Sequence, residues 1–162
     1  MFRIGHGYDV HKFSSELKPL IIGGVVVDRT LGVEAHSDGD VLYHALCDAL
    51  LGAIAQRDIG FHFPDIDDSN KNRNSADFIK YAQELIFKQG YSLSNLDITL
   101  VAQKPKLMNF IVNIQQSIAT TLNIDVNQVN VKATTTEKLG FIGREEGIAA
   151  YAVVLLYKKS EV

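Results

Sequence analysis

The chain has 162 residues, 46% hydrophobic and 22% charged, with a net charge of −3; this fits one soluble globular unit with a real core and lacks the basic field that nucleic-acid binding needs. Its single cysteine, Cys47, excludes an internal disulfide and any cysteine-rich zinc module. No apolar run approaches the ~18 residues that span a bilayer, and the N-terminus reads as a strand rather than a leader, so a cytoplasmic protein without membrane or nucleic-acid partners is expected.

In chain order, "MFRIGHGYDVHKF" alternates with a period near two and predicts a half-buried strand. "LIIGGVVV" (20–27) predicts one or two short strands, with Gly23 and Gly24 marking a bulge or tight bend. "SDGDVLYHALCDALLGAIAQ" predicts the clearest helix, capped by Ser37 or Asp38, with Asp40 suiting its positive end. "DIGFHFPDIDDSNKNRNS" (58–75) predicts a long loop. "SADFIKYAQELIFKQG" predicts an amphipathic helix closed by Gly90, and "LDITLVAQ" (96–103) a strand. "PKLMNFIVNIQQSIATTLN" predicts a helix with Pro105 near its first turn. "VNVKATTT" predicts a fourth strand, "EKLGFIGREEG" a glycine-punctuated loop and "IAAYAVVLLY" an apolar closing strand. Helices grouped between about five strands imply an α+β two-layer sandwich, with 1–162 forming one domain.

The chemistry concentrates in a few segments. Residues i and i+2 of a strand share a face, so Asp9 and His11 project together and His6 does not. A carboxylate and an imidazole make two-thirds of a catalytic-type zinc site; taken alone, the two residues favour a plain hydrogen-bonded surface pair. His44 lies four residues from both Asp40 and Asp48 on one polar stripe of the helix. It reads equally as a third ligand oriented by Asp48 or as a core histidine satisfied by its acidic neighbours. His36 and "AHSDG", near the helix start, suit a phosphate better than a metal. In "KATTTEKLGFIGREEG" (132–147), hydroxyls and backbone N–H groups can cradle phosphate, Arg144 can pair with it, and Glu137 can hold a hard divalent ion. A polar strand end with exposed charges accounts for that segment equally. The Walker spacing is absent.

"GHGYDVH", "AHSDGDVLYHAL", "DIGFHFPD", "AQKPK" and "VKATTTEKLGFIGREEGIA" occur in the order and at the spacing of one family. The chain resembles the 2-C-methyl-D-erythritol 2,4-cyclodiphosphate synthases of the non-mevalonate isoprenoid pathway over essentially its whole length, least over 14–30 and 68–95. The resemblance implies a bacterial cytoplasmic homotrimer. Each subunit would carry one mixed β-sheet of about four to five strands, covered by helices on one face and turned toward the trimer axis on the other. Active sites would lie between adjacent subunits.

It also implies that Asp9, His11 and His44 hold one zinc ion per subunit. Glu137 would hold a second divalent ion, magnesium or manganese. The implied substrate is 4-diphosphocytidyl-2-C-methyl-D-erythritol 2-phosphate, whose 2-phosphate attacks the β-phosphorus and releases CMP. His36 and Thr135 match transition-state-stabilising positions, and Ser37 a contact to the 2-phosphate. Asp58, Gly60, Phe63 and Asp65 match ribose or methylerythritol contacts. Ala102, Lys104, Pro105, Lys106, Leu107 and Met108, with Ala133, Thr134 and Thr135, match the cytidine pocket; Thr136, Phe141 and Arg144 match further substrate contacts. An isoprenoid diphosphate in the axial cavity is a further implied ligand, bound by Arg144. Tyr8 stands where many relatives carry phenylalanine and Glu145 where glycine is common, both bearing on that cavity; His62 matches no role. A zinc hydrolase and a metal-dependent binding protein without turnover are the alternative readings, and the phosphate-directed loop speaks against the first.

Overall fold

The computed structural model describes residues 1–64 and 73–158. Among the described residues six strands, β1 (Phe2–Lys12), β2 (Leu20–Ile22), β3 (Val25–Asp28), β4 (Tyr91–Val101), β5 (Val129–Thr134) and β6 (Gly147–Lys158), join five α-helices. These are α1 (Val41–Ala53), α2 (Ile59–His62), α3 (Ser75–Lys88), α4 (Ile111–Leu122) and α5 (Gly140–Gly143). Four strands form a mixed sheet in the order β1-β6-β4-β5, antiparallel except for the parallel β4–β5 pair. The expected α+β architecture is therefore present, with β2 and β3 set apart as their own hairpin.

Alternation along β6 separates the two faces of the sheet. Ile148, Ala150, Ala152, Val154 and Leu156 are buried beneath the helices, whereas Tyr151, Val153 and Tyr157 stay exposed on the other side. This strand runs between β1 and β4 within the sheet, and its exposed face is apolar as well.

Two glycines bring α1 flush onto β1. A Cβ at Gly5 would lie 1.8 Å from the Ala49 carbonyl oxygen, and one at Gly7 would lie 1.9 Å from that of Ala45. Helix and strand backbones thus touch where any side chain would hold them apart. The contact places His44 of the helix against Asp9 and His11 at the strand's far end.

Several sequence expectations are corrected. The cap of α1 is neither Ser37 nor Asp38 but Asp40, whose carboxylate accepts from the Tyr43 N–H. Fully buried, it also accepts from Gly23 and Gly24 at 2.9 and 2.7 Å. Those glycines have φ values of 58° and 76°, the two left-handed positions of a tight hairpin turn. Pro105 precedes α4 by several residues, in a turn after β4, because Leu107 and Met108–Phe110 intervene as a short 3₁₀ segment. The loop expected over 58–75 contains the one-turn helix α2, capped by Asp58.

Candidate metal centre and substrate site

Asp9 Oδ2, His11 Nε2 and His44 Nδ1 form a triangle with edges of 3.0, 3.1 and 3.0 Å. Tetrahedral zinc with ligands at about 2.0 Å has ligand–ligand edges of about 3.3 Å. One carboxylate and two imidazole nitrogens in that spacing fit a divalent metal of the zinc type, and three ligands leave one position open. Electrostatics point the same way. Burial works to raise the Asp9 carboxyl, but hydrogen bonds from His11 and His44 hold it well below the usual carboxylate range. Burial works to lower His44, and Asp9 overrides it, so the imidazole binds a proton more tightly than usual.

The other nitrogen of His44, Nε2, lies 3.0 Å from both the Ser37 and Ser75 hydroxyl oxygens. Ser75 in turn donates its hydroxyl and its N–H to the Asp38 carboxylate. Asp48, expected to orient His44, instead accepts from the Ile59 N–H at 2.8 Å and ties α2 to α1. Ser75 and the orienting use of Asp38 were missed from sequence, because a serine opening an amphipathic helix reads as a cap; its only signal was polarity at a position that the structure buries completely. His6 lies exposed on the opposite face of β1, as strand parity requires.

A second cluster follows β5. Thr135 Oγ1 donates to Glu137 Oε1 at 3.0 Å and accepts from the Glu137 N–H at 3.2 Å. Glu137 and Lys138 both have left-handed backbones, with φ of 52° and 66°. Non-glycine residues held in that region cost about 1–2 kcal/mol each and concentrate at functional sites. Lys138 N donates to Gln103 Oε1, and Ala102 N to Thr134 O, joining this loop to the turn 102–108. In that turn Ala102 and Leu107 are buried, Lys104 and Pro105 half-buried, and Lys106 and Met108 exposed. Lys104 Nζ pairs with Glu145 at 2.8 Å. Ala133 and Thr134 end β5 with exposed side chains, and Thr136 donates to the Leu139 carbonyl. Phe141 and Arg144 are exposed on and after α5, and Arg144 holds Glu146 through two bonds of 2.8 and 3.3 Å.

Asp58 accepts from the Phe61 N–H, Gly60 is exposed, and Phe63 packs half-buried on Phe78 and Tyr81. His62 bonds the Tyr81 hydroxyl and the Gln56 carbonyl, a structural anchor for α2. His36 is exposed before α1. Asp65 lies outside the described residues. The register puts the C-terminal ends of β1, β4 and β5 at one end of the sheet. Yet the Asp9–His11 strand and the strand leading to Glu137 are opposite edges, about 14 Å apart at roughly 4.8 Å per strand.

A layered α+β chain carrying an Asp–His–His cluster at the mouth of its sheet has the construction of a metal-dependent enzyme. Residues 2–157 match the YgbB family. A protein of Francisella tularensis subsp. novicida named 2-C-methyl-D-erythritol 2,4-cyclodiphosphate synthase is 55% identical over 97% of this chain and 99% of its own. The like-named Francisella philomiragia protein is 54% identical over 96% of this chain and 98% of its own. Among solved structures, the bifunctional IspDF of Campylobacter jejuni superposes with a TM-score of 0.95 at 48% identity, over 99% of this chain and 43% of that longer one. The CDP complex of Plasmodium falciparum IspF gives 0.87 at 44% identity, over 98% and 97% of the two chains. The chain belongs to the YgbB family, the 2-C-methyl-D-erythritol 2,4-cyclodiphosphate synthases.

Proposed function

We propose that this enzyme converts 4-diphosphocytidyl-2-C-methyl-D-erythritol 2-phosphate to 2-C-methyl-D-erythritol 2,4-cyclodiphosphate, releasing CMP, in the bacterial cytoplasm and within one cyclodiphosphate synthase domain over 1–162. The observation that carries the reading is the Asp9–His11–His44 triangle, with edges of 3.0–3.1 Å, in a chain 55% identical to synthases of that name.

Asp9, His11 and His44 hold zinc, and Glu137 holds a second divalent ion, magnesium or manganese; such ions supply Lewis-acid polarisation and a template for phosphate oxygens. Nucleophile and electrophile belong to one molecule, so the chain's own residues need only position them and spread the charge. Ser37 donates to the 2-phosphate, while His36 and Thr135 stabilise charge as the bond to the β-phosphorus forms. Asp58, Gly60, Phe63 and Asp65 contact the sugar portions. The turn 102–108 and Ala133–Thr135 receive the cytidine end, with Thr136, Phe141 and Arg144 beside it; the CDP complex of the Plasmodium falciparum relative supports a ligand of that kind.

The ~14 Å between the two sheet edges favours a site completed by a neighbouring subunit, the triangle facing that neighbour's Glu137 loop. Ile4, Tyr8, Val10, Tyr151 and Val153 leave an exposed apolar patch on the uncovered sheet face. Such a patch marks an interface and suits a homotrimer with sheets turned to its axis. An isoprenoid diphosphate in the axial cavity would have to draw Arg144 from Glu146.

The test is to incubate purified protein with this substrate, zinc and magnesium, and to follow CMP by chromatography. CMP release dependent on both ions is expected. Folded, zinc-loaded protein that releases none would overturn the assignment.

A further inference from the structure

The hydrogen-bond chain behind His44 has a direction. Ser75 is fully buried, and its hydroxyl hydrogen is committed to Asp38 Oδ1, while its N–H donates to Asp38 Oδ2 at 2.9 Å. A hydroxyl has one hydrogen to give. Toward His44 Nε2, 3.0 Å away, the Ser75 oxygen is therefore an acceptor, and Nε2 carries the ring hydrogen. Nδ1, which faces Asp9 Oδ2 at 3.1 Å and His11 Nε2 at 3.0 Å, is then the nitrogen turned toward a cation in the triangle.

The same hydrogen on Nε2 reaches Ser37, whose oxygen lies 3.0 Å away and also receives the Gly39 N–H at 3.3 Å. With both acceptor positions of Ser37 engaged, its own hydrogen is left to point outward, as a donor for an anionic oxygen.

We propose that Ser75 and Asp38 are a positioning pair that sets the tautomer and ring orientation of His44, and through His44 the donor direction of Ser37. The inference rests on the zinc reading of the triangle, because a cation on Nδ1 is what leaves the single ring hydrogen on Nε2; without it Asp9, 3.1 Å from Nδ1, competes for that hydrogen. Neither residue touches the reacting atoms. Asp38 holds Ser75 at the first position of α3, and Ser75 holds the ring, so a contact between two elements distant in sequence decides which nitrogen of His44 is available.

Two measurements on the full chain test it. Proton NMR of zinc-loaded wild-type protein should show a slowly exchanging hydrogen on His44 Nε2 that Ser75→Ala loses; a hydrogen that exchanges as fast in wild type as in Ser75→Ala overturns the proposal. Zinc affinity, by competition with a chromophoric chelator, should weaken by about 10–100-fold in Ser75→Ala, the usual effect of losing a group that orients a metal ligand. Ser75→Thr, which keeps the hydroxyl, should restore most of it. Asn74→Ala removes the bond from Ala76 N to Asn74 Oδ1 that caps α3; it should lower thermal stability and leave zinc affinity unchanged. Ser75→Ala binding zinc as tightly as wild type, or Asn74→Ala weakening it equally, would refute the positioning role. Wild-type protein that takes up no zinc would sink the function proposed above together with this inference, whereas Ser75→Ala with wild-type affinity refutes the positioning role alone.

Discussion

Gly7→Ala tests the packing that makes the triangle. The new Cβ would meet the Ala45 carbonyl oxygen at 1.9 Å and the Ala49 nitrogen at 2.8 Å. Real Cβ atoms essentially never approach such atoms closer than 3.0 Å, so α1 and β1 must separate by at least 1.1 Å along that contact. Both obstacles are backbone, and no side chain can swing aside to absorb the change. Overpacking of this kind costs about 3 kcal/mol, which in a chain this size lowers the melting temperature by roughly 6–12 °C. The functional loss should exceed the stability loss. Metal sites tolerate ligand displacements of about 0.2 Å, and His44 adjoins Ala45, so zinc affinity should fall by more than the ~10–100-fold that loss of an orienting partner produces. Gly5→Ala, whose Cβ meets Ala49 O at 1.8 Å one helical turn farther from His44, supplies the comparison. Similar destabilisation with a smaller zinc defect is expected. Differential scanning fluorimetry and chelator competition on the two variants decide the matter. Gly7→Ala with wild-type zinc affinity would show that the flush contact does not set the site.

Other outcomes follow from the same geometry. Glu137→Ala should abolish most turnover while zinc content, read by atomic absorption, stays at the wild-type level, because Glu137 is not one of the three residues of the triangle. In metal-free protein, the Asp9–His44 pair contributes its full stability above the ordinary carboxylate value of 3.8 and below the ordinary imidazole value of 6.5. Because the proton on His44 is held more tightly when folded, that contribution is lost as pH rises through the raised value. Melting of chelator-treated protein should therefore be higher at pH 5.5 than at 8.5, by more than in His44→Ala; equal slopes would contradict this. Zinc competes for the same lone pair, so zinc affinity should run the opposite way and grow with pH. Glu145 sits at φ 61° and its pair with Lys104 is half-exposed and worth little. Glu145→Gly should raise stability by about 1 kcal/mol in urea titration.

Local pattern was enough to read much of this. The parity of β1 separated Asp9 and His11 from His6, and helical spacing singled out His44, because both depend only on the periodicity of one element. The helix cap was misplaced for the opposite reason: Asp40 was selected over Ser37 and Asp38 by Gly23 and Gly24, which lie in another element. The partner expected to orient His44 was misplaced for the same reason. Asp48 is one helical turn from His44 but turned toward α2, whereas Ser75 is 31 residues away and in contact. The glycines of "GHG" carried no reading of their own in the sequence; their use, admitting a helix backbone, exists only once α1 is docked.

Asp40 also governs how the molecule opens. One carboxylate closes the turn of the β2–β3 hairpin and the first turn of α1. Freeing either would leave a buried charge with its hydrogen bonds unmade, so the two do not fray separately. Their amide hydrogens should exchange with solvent in a single cooperative event. A small hairpin at the margin of the sheet thus shares the lifetime of the helix that carries His44.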